Sequence, residues 1–351
     1  MLSVFDRIVQ ADLLRRGFSQ RWIDTSAGRV HVLDGPGRGE LPPVVLLHGL
    51  ASRGAHFRPM ALGLLPHVRR LIMPDLLGHG DSHMPMDGID STSLDAALVE
   101  ALDAVLDEPA LLFGVSLGGA GVLHYASLRP EKVLGLCLVS PGGALMDEGS
   151  LRAMLDPLVI DDHDEALEFT RRAFTRWVPS ERLFAWAILQ TMKRPHVHRF
   201  LRTLKPEQLL QPSALEKVQA PVRLLWGQRE RLFWLQCLEY FRRHLPHAEI
   251  HRPENWGHAP VAEQPLEVVE HILDLLRSLG RREARRLFGL QGPLLESSDR
   301  VHKKAVIAAC MKTVALSAQP SGETTANQQR LPPLSACRSR ILIQRCLAPC
   351  A

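Results

Sequence analysis

The chain has 351 residues, longer than an average domain, and 46% of them are hydrophobic, enough for a large buried core. Its net charge of +4 is unevenly spread: residues 281–351 hold 12 Lys/Arg against 4 Asp/Glu, so the body before them is mildly acidic and carries no nucleic-acid footprint. Of the 6 cysteines only Cys137 and Cys237 lie in that body, which excludes a disulfide framework or metal-ligand spacing there and predicts a reducing, cytoplasmic setting.

The opening stretch MLSVFDRIVQADLLRRGF lacks the order of a signal peptide. Val4, Phe5, Ile8, Val9, Leu13 and Leu14 fall on one face of a predicted helix, read as docked on the body, with interfacial membrane contact as the alternative. No segment reaches the roughly 18 uninterrupted apolar residues of a membrane span. Strands are predicted at 29–35, 42–49, 68–75, 109–116, 132–140 and 221–227, with a last one in AEIHRP. Several are almost continuously apolar, as expected of strands covered on both faces. Helical patterns such as 93–106 and 119–130 lie between them, so the expected architecture is α/β with a mostly parallel sheet.

From about Ala144 to Gln219 no strand pattern occurs and helical stretches dominate, which is too long for a loop. Residues 144–219 are therefore read as a helical cap inserted into one core formed by 1–143 and 220–280. Residues 281–351 are read as a basic, largely disordered tail, which inert disorder explains better than an arm for an anionic partner.

Four segments carry chemistry. In LLFGVSLGG a Gly-x-Ser-x-Gly pattern ends a strand and opens a helix, the context of a nucleophile elbow. Gly114 and Gly118 let strand and helix backbones approach, Ser116 becomes the nucleophile, and the Leu117 N–H is one oxyanion donor. In VVLLHGLAS the Leu50 N–H is the second donor, while His48 follows the wrong strand for a base and is read as structural. His258, in PENWGHAPVAEQP before the final helix, is the expected base. Glu230, just past the strand PVRLLWG, is the expected acid that orients it, with Asp147 as the weaker candidate. The chain order serine, acid, histidine suits this triad. The cap residues Trp177, Phe184, Trp186, Ile188 and Met192 supply apolar material, mainly for the cap's own core.

These motifs, together with DLLGHGDS (75–82), resemble the α/β-hydrolase fold superfamily, in its helical-capped serine esterase/lipase-like branch, over roughly Val30 to Leu279. The resemblance implies a mostly parallel sheet of about eight strands, no cofactor and no metal. It also implies an acyl-enzyme on Ser116 formed from a small-molecule carboxylic ester. The family's acid is usually aspartate, whereas this chain has Glu230. The alternatives are a carbon–carbon bond hydrolase of ring-cleavage products, whose usual Gly-rich segment is not matched by HGLASRG, and a non-catalytic binding module on the same fold.

Overall fold

The computed structural model describes residues 2–86, 88–175 and 181–288. A helix, α1 (Leu2–Arg15), leads into the hairpin β1 (Ser19–Thr25) and β2 (Gly28–Pro36), then β3 (Val44–Leu47), α2 (Arg58–Leu64) and β4 (Arg70–Pro74). Next come α3 (Ser91–Val105), β5 (Ala110–Val115), α4 (Leu117–Leu128) and β6 (Val133–Val139). Five helices follow: α5 (Glu148–Leu155), α6 (His163–Ala173), α7 (Glu181–Met192), α8 (Pro195–Thr203) and α9 (Pro212–Leu215). The described chain ends with β7 (Val222–Leu225), α10 (Leu235–His244), β8 (Glu249–His251), α11 (Pro260–Glu263) and α12 (Pro265–Phe288).

The eight strands form one sheet in the order β1-β2-β4-β3-β5-β6-β7-β8, and every strand except β2 runs in the same direction. Successive side chains of a strand point to opposite faces, so a strand apolar at every position needs a core on each side. This sheet has both. Val45, Leu47 and Leu112 enter one core with Leu94 of α3, Val122 of α4 and Phe241 of α10. Val44, Leu46, Leu111 and Phe113 enter the other with Leu13 of α1, Leu64 of α2 and Ile272 of α12.

Three elements depart from the sequence expectation. The edge strand β1 was not predicted: its exposed and half-buried residues form no apolar run, and pairing with β2 from Ser19↔Asp34 to Thr25↔Gly28 holds it extended. The last helix runs to Phe288, past the expected boundary at 280. On α1 only part of the apolar face is covered: Val9 and Leu13 are buried, while Val4, Phe5 and Ile8 are each more than half exposed. The tail from 289 on, and Trp177, lie outside the described residues. No helix among the described residues is long and apolar enough to cross a membrane.

Candidate active site

Between β5 and α4 the chain turns through one residue. Ser116 has φ 53° and ψ −120°, a left-handed conformation that costs a side-chain-bearing residue free energy. Its surroundings over-determine it. The Ser116 N–H donates to Val139 O at 3.0 Å, and its carbonyl accepts from Gly142 N–H at 2.9 Å and Ala120 N–H at 3.2 Å. The flanking glycines are required by contact: a Cβ on Gly114 would lie 2.4 Å from Gly118 O, and one on Gly118 would lie 2.3 Å from Leu47 O. The serine thus stands at the sheet's edge on the positive end of α4, whose first N–H belongs to Leu117.

His258 follows the loop from β8 and presents Nδ1 to Glu230 Oε2 at 2.8 Å. The other carboxylate oxygen accepts from the N–H groups of Leu232 at 2.8 Å and Phe233 at 3.2 Å. The Glu230 side chain is only 2% exposed. Burial alone would raise its pKa, but the charge and hydrogen bond of His258, the Ser140 hydroxyl and the Leu232 N–H outweigh that and hold it at about 2. An ionised carboxylate only accepts, so Nδ1 carries the proton and Nε2 is left as the basic nitrogen. Phe233 packs edge-on against the imidazole, ring centroids 4.9 Å apart, and the His258 N–H donates to Ala173 O at 3.2 Å, which ties the loop to α6.

The loop after β3 reaches the serine through Gly49. A Cβ there would lie 3.3 Å from Ser116 Cβ and 3.9 Å from its Oγ. Leu50 follows, then Ala51 in the left-handed region at φ 59°. Among the described residues the N–H groups of Leu50 and Leu117 have no backbone or side-chain acceptor. His48 braces this loop from behind: Nε2 accepts from Leu76 N–H at 3.0 Å, so Nδ1 donates to Gly49 O at 2.8 Å. Burial lowers its pKa to about 4 and keeps it neutral.

A buried polar network fixes the same loop further on. Asp75 accepts from Gly54 N–H at 2.6 Å, Asp81 N–H at 2.9 Å and His31 Nδ1 at 2.9 Å. Burial would raise the Asp75 pKa, and the His31 hydrogen bond, the charge of His48 and the Asp81 N–H bring it down to about 2. Arg53 pairs with Asp81 at 2.7 Å and with Asp6 of α1 at 3.4 Å, and lies 3.9 Å from Asp75. His31, Asp75 and Asp81 offer three ligand atoms close together, but this guanidinium already supplies the counter-charge.

Ser116, Leu50, Leu117 and His258 line one cavity of about 1430 Å³. Its walls are largely apolar and include Phe184, Ile188 and Met192 from α7 and Phe5 and Ile8 from α1. Of the predicted cap residues, Trp186 is exposed instead. The fold therefore brings together the serine, histidine, glutamate and both donor residues singled out in the sequence. Asp147 is not with them: it is the N-cap of α5, accepting from Ser150 N–H at 3.0 Å and Oγ at 2.6 Å. Sequence reasoning missed Ser140, buried beside Glu230 with φ 37°, because a serine ending a strand before Pro141 reads as a simple turn. It also missed Asp95 and His124, which line the cavity from α3 and α4 but look like solvated helix faces in sequence.

A mostly parallel eight-stranded sheet with a strained serine at the start of the helix after β5, and a histidine–carboxylate pair beyond its last strands, defines the α/β-hydrolase fold. The chain has the α/β-hydrolase fold, and a family model described as alpha/beta hydrolase fold matches residues 42–180. Among curated relatives it is similar to monoacylglycerol lipase ABHD6 of Homo sapiens, 25% identical over 267 residues, 69% of this chain and 77% of that protein. It is also similar to a pimeloyl-[acyl-carrier protein] methyl ester esterase of Xanthomonas oryzae pv. oryzae, 29% identical over 259 residues, 67% of this chain and 96% of the relative. Among solved structures, a membrane phospholipase A described as a bacterial virulence factor superposes with a TM-score of 0.66 at 23% identity, over 79% of this chain and 92% of the other.

Proposed function

We propose that the protein is a serine hydrolase of carboxylic esters, carboxylesterase- or lipase-like, acting through an acyl-enzyme on Ser116. The observation that carries this reading is His258, bonded to the buried Glu230 carboxylate, sharing a largely apolar cavity with a serine held at positive φ. The names of the two curated relatives above, a lipase and an esterase, support it.

In the first step Ser116 Oγ attacks the ester carbonyl as His258 Nε2 takes its proton. Glu230 keeps the imidazole in that tautomer and stabilises the imidazolium that forms. The N–H groups of Leu50 and Leu117 receive the oxyanion, each worth about 3 to 4 kcal/mol of barrier by analogy with other acyl-transfer sites. The imidazolium then protonates the departing alcohol. In the second step His258 activates water, which releases the acid and restores the serine.

The two buried free thiols, Cys137 and Cys237, suit a reducing compartment, and we assign the protein to the cytoplasm on that basis. The test is hydrolysis of p-nitrophenyl esters from acetate to dodecanoate by the wild type and Ser116→Ala. Turnover that vanishes in the variant supports the reading. Equal turnover in both proteins, or none in the wild type, overturns it and moves the assignment to carbon–carbon hydrolysis or ligand binding.

A further inference from the structure

The cavity is larger than an ester group needs, and its far end has a different chemistry from the rest. It follows one side of α4 from Ser116 through Leu117 and Ala120 to His124, eight residues and about 12 Å along the helix axis. Asp95 of α3 also lines the cavity, close enough to His124 to feel its charge, and Gln208 and Gln211, between α8 and α9, are further polar residues of the lining. The two glutamines fix this wall: Gln211 Nε2 donates to Pro206 O and Leu209 O, each at 3.1 Å, and Gln208 Oε1 accepts from Lys205 N–H at 2.9 Å.

Asp95 and His124, both half buried, are the members of this group open to the cavity. Neither side chain has a hydrogen-bond partner among the described residues. The nearby Glu100, on the same helix, is engaged by the Ser26 N–H at 2.7 Å and Oγ at 2.5 Å. Burial raises the Asp95 pKa, and the charge of His124 opposes the rise, so the carboxyl and the imidazole sense each other at the cavity wall. A carboxylate left unpaired in a mostly apolar pocket costs stability unless something in the pocket bonds to it.

We propose that Asp95 and His124 form a polar subsite, remote from Ser116, that receives a hydrogen-bond-donating terminus, a hydroxyl or an ammonium, at the far end of the substrate chain. The inference rests on the ester-hydrolase reading for which chain enters, since the distance from Ser116 is that of a medium-length acyl group. Asp95 accepts from the terminal group and His124 completes the contact through whichever ring nitrogen faces it. A terminal carboxylate is disfavoured by like charge. A plain alkyl end leaves Asp95 unpaired, and a site built to bond a hydroxyl discriminates against an analogue lacking it.

Binding tests this without catalysis. Calorimetric titration of the full-length protein with n-octanol and with its α,ω-diol compares chains that differ only at the terminus. The diol is expected to bind about tenfold more tightly to the wild type. Asp95→Leu, with circular dichroism showing it folded, is expected to reverse the order. Asp95→Asn and His124→Leu provide independent readings should that variant misfold, each reducing the ratio. Tighter binding of the monoalcohol to the wild type, or a ratio unmoved by any variant, overturns the subsite. In parallel, p-nitrophenyl octanoate and its ω-hydroxy and ω-amino analogues separate the two readings. Turnover of all three without preference sinks only the subsite, whereas a diol preference without ester turnover leaves the subsite and sinks the hydrolase.

Discussion

Glu230 Oε2 lies 2.8 Å from His258 Nδ1, while the partner oxygen of the same carboxylate is taken by two backbone N–H groups, so the extra methylene of glutamate is used to reach the imidazole from a fixed anchor. Shortening the side chain must break one of these contacts. Glu230→Gln is expected to cut kcat on a p-nitrophenyl ester by about 10³ to 10⁴ because the tautomer is no longer set. Glu230→Asp is expected to cut it less. Asp147→Ala, which removes only the cap of α5, is expected to leave kcat unchanged with a small loss of melting temperature. A Glu230→Gln enzyme within threefold of wild type would reassign the acid.

The elbow glycines act through backbone contact. Gly118→Ala places a methyl 2.3 Å from Leu47 O, and Gly114→Ala places one 2.4 Å from Gly118 O. Neither neighbour is a side chain that swings away. Each variant is expected to lose more than about 3 kcal/mol, read as a lower urea midpoint, and to lose activity with it. Gly49→Ala meets Ser116 Cβ at 3.3 Å, a smaller conflict, and is expected to reduce kcat while the fold survives. Full stability in Gly118→Ala would mean that the elbow is wider than described.

Acid lowers stability in two stages of known sign. His48 and His79 are buried and neutral, with pKa values lowered by burial from 6.5 to about 4 and about 3. The unfolded chain binds those protons first, so stability falls as pH drops from about 6.5 toward 4. Asp75 and Glu230, with folded pKa values of about 2, contribute stability that is present above their ordinary range and lost as pH falls toward 2. His79→Asn retains a donor for Leu77 O and is expected to flatten the first stage by about one proton, measured as the pH slope of urea unfolding. An unchanged slope would contradict the neutral burial of this ring.

Arg53 joins the loop after Leu50 to α1 and to Asp81. Arg53→Ala leaves the buried Asp75 and the half-buried Asp6 with fewer counter-charges. It is expected to cost about 3 kcal/mol and to lower kcat more than it raises KM, because the oxyanion loop shifts while the cavity remains. A KM effect alone would place Arg53 at the substrate instead.

Much of this site was legible in the sequence because its chemistry depends on local geometry. A strand that must end at a serine needs glycine at positions 114 and 118, and those glycines mark the turn in any linear reading. His258 and Glu230 were legible by their positions, each in the loop after a readable late strand. Strands β3, β5 and β6 were legible because burial on both faces demands nearly unbroken apolar runs, such as VVLL and LCLV, that no amphipathic helix would carry. Hence the sequence by itself determined most of the sheet, the elbow, and the serine, histidine and glutamate that the fold brings together.

Tertiary structure decided what depends on partners distant in the chain. β1 is a strand only because β2 pairs with it, and its own side chains carry little sign of that. The apolar face of α1 was correctly read as a helix face, yet Phe5 and Ile8 stay uncovered at the cavity because α1 is held by Asp6 and Arg53 from another segment. Asp95 and His124 look like solvated positions on two separate helices until packing turns both toward one cavity. The physical reason is common to all three: burial is a property of the assembled surfaces, and periodicity records only which face a residue lies on, not what that face meets.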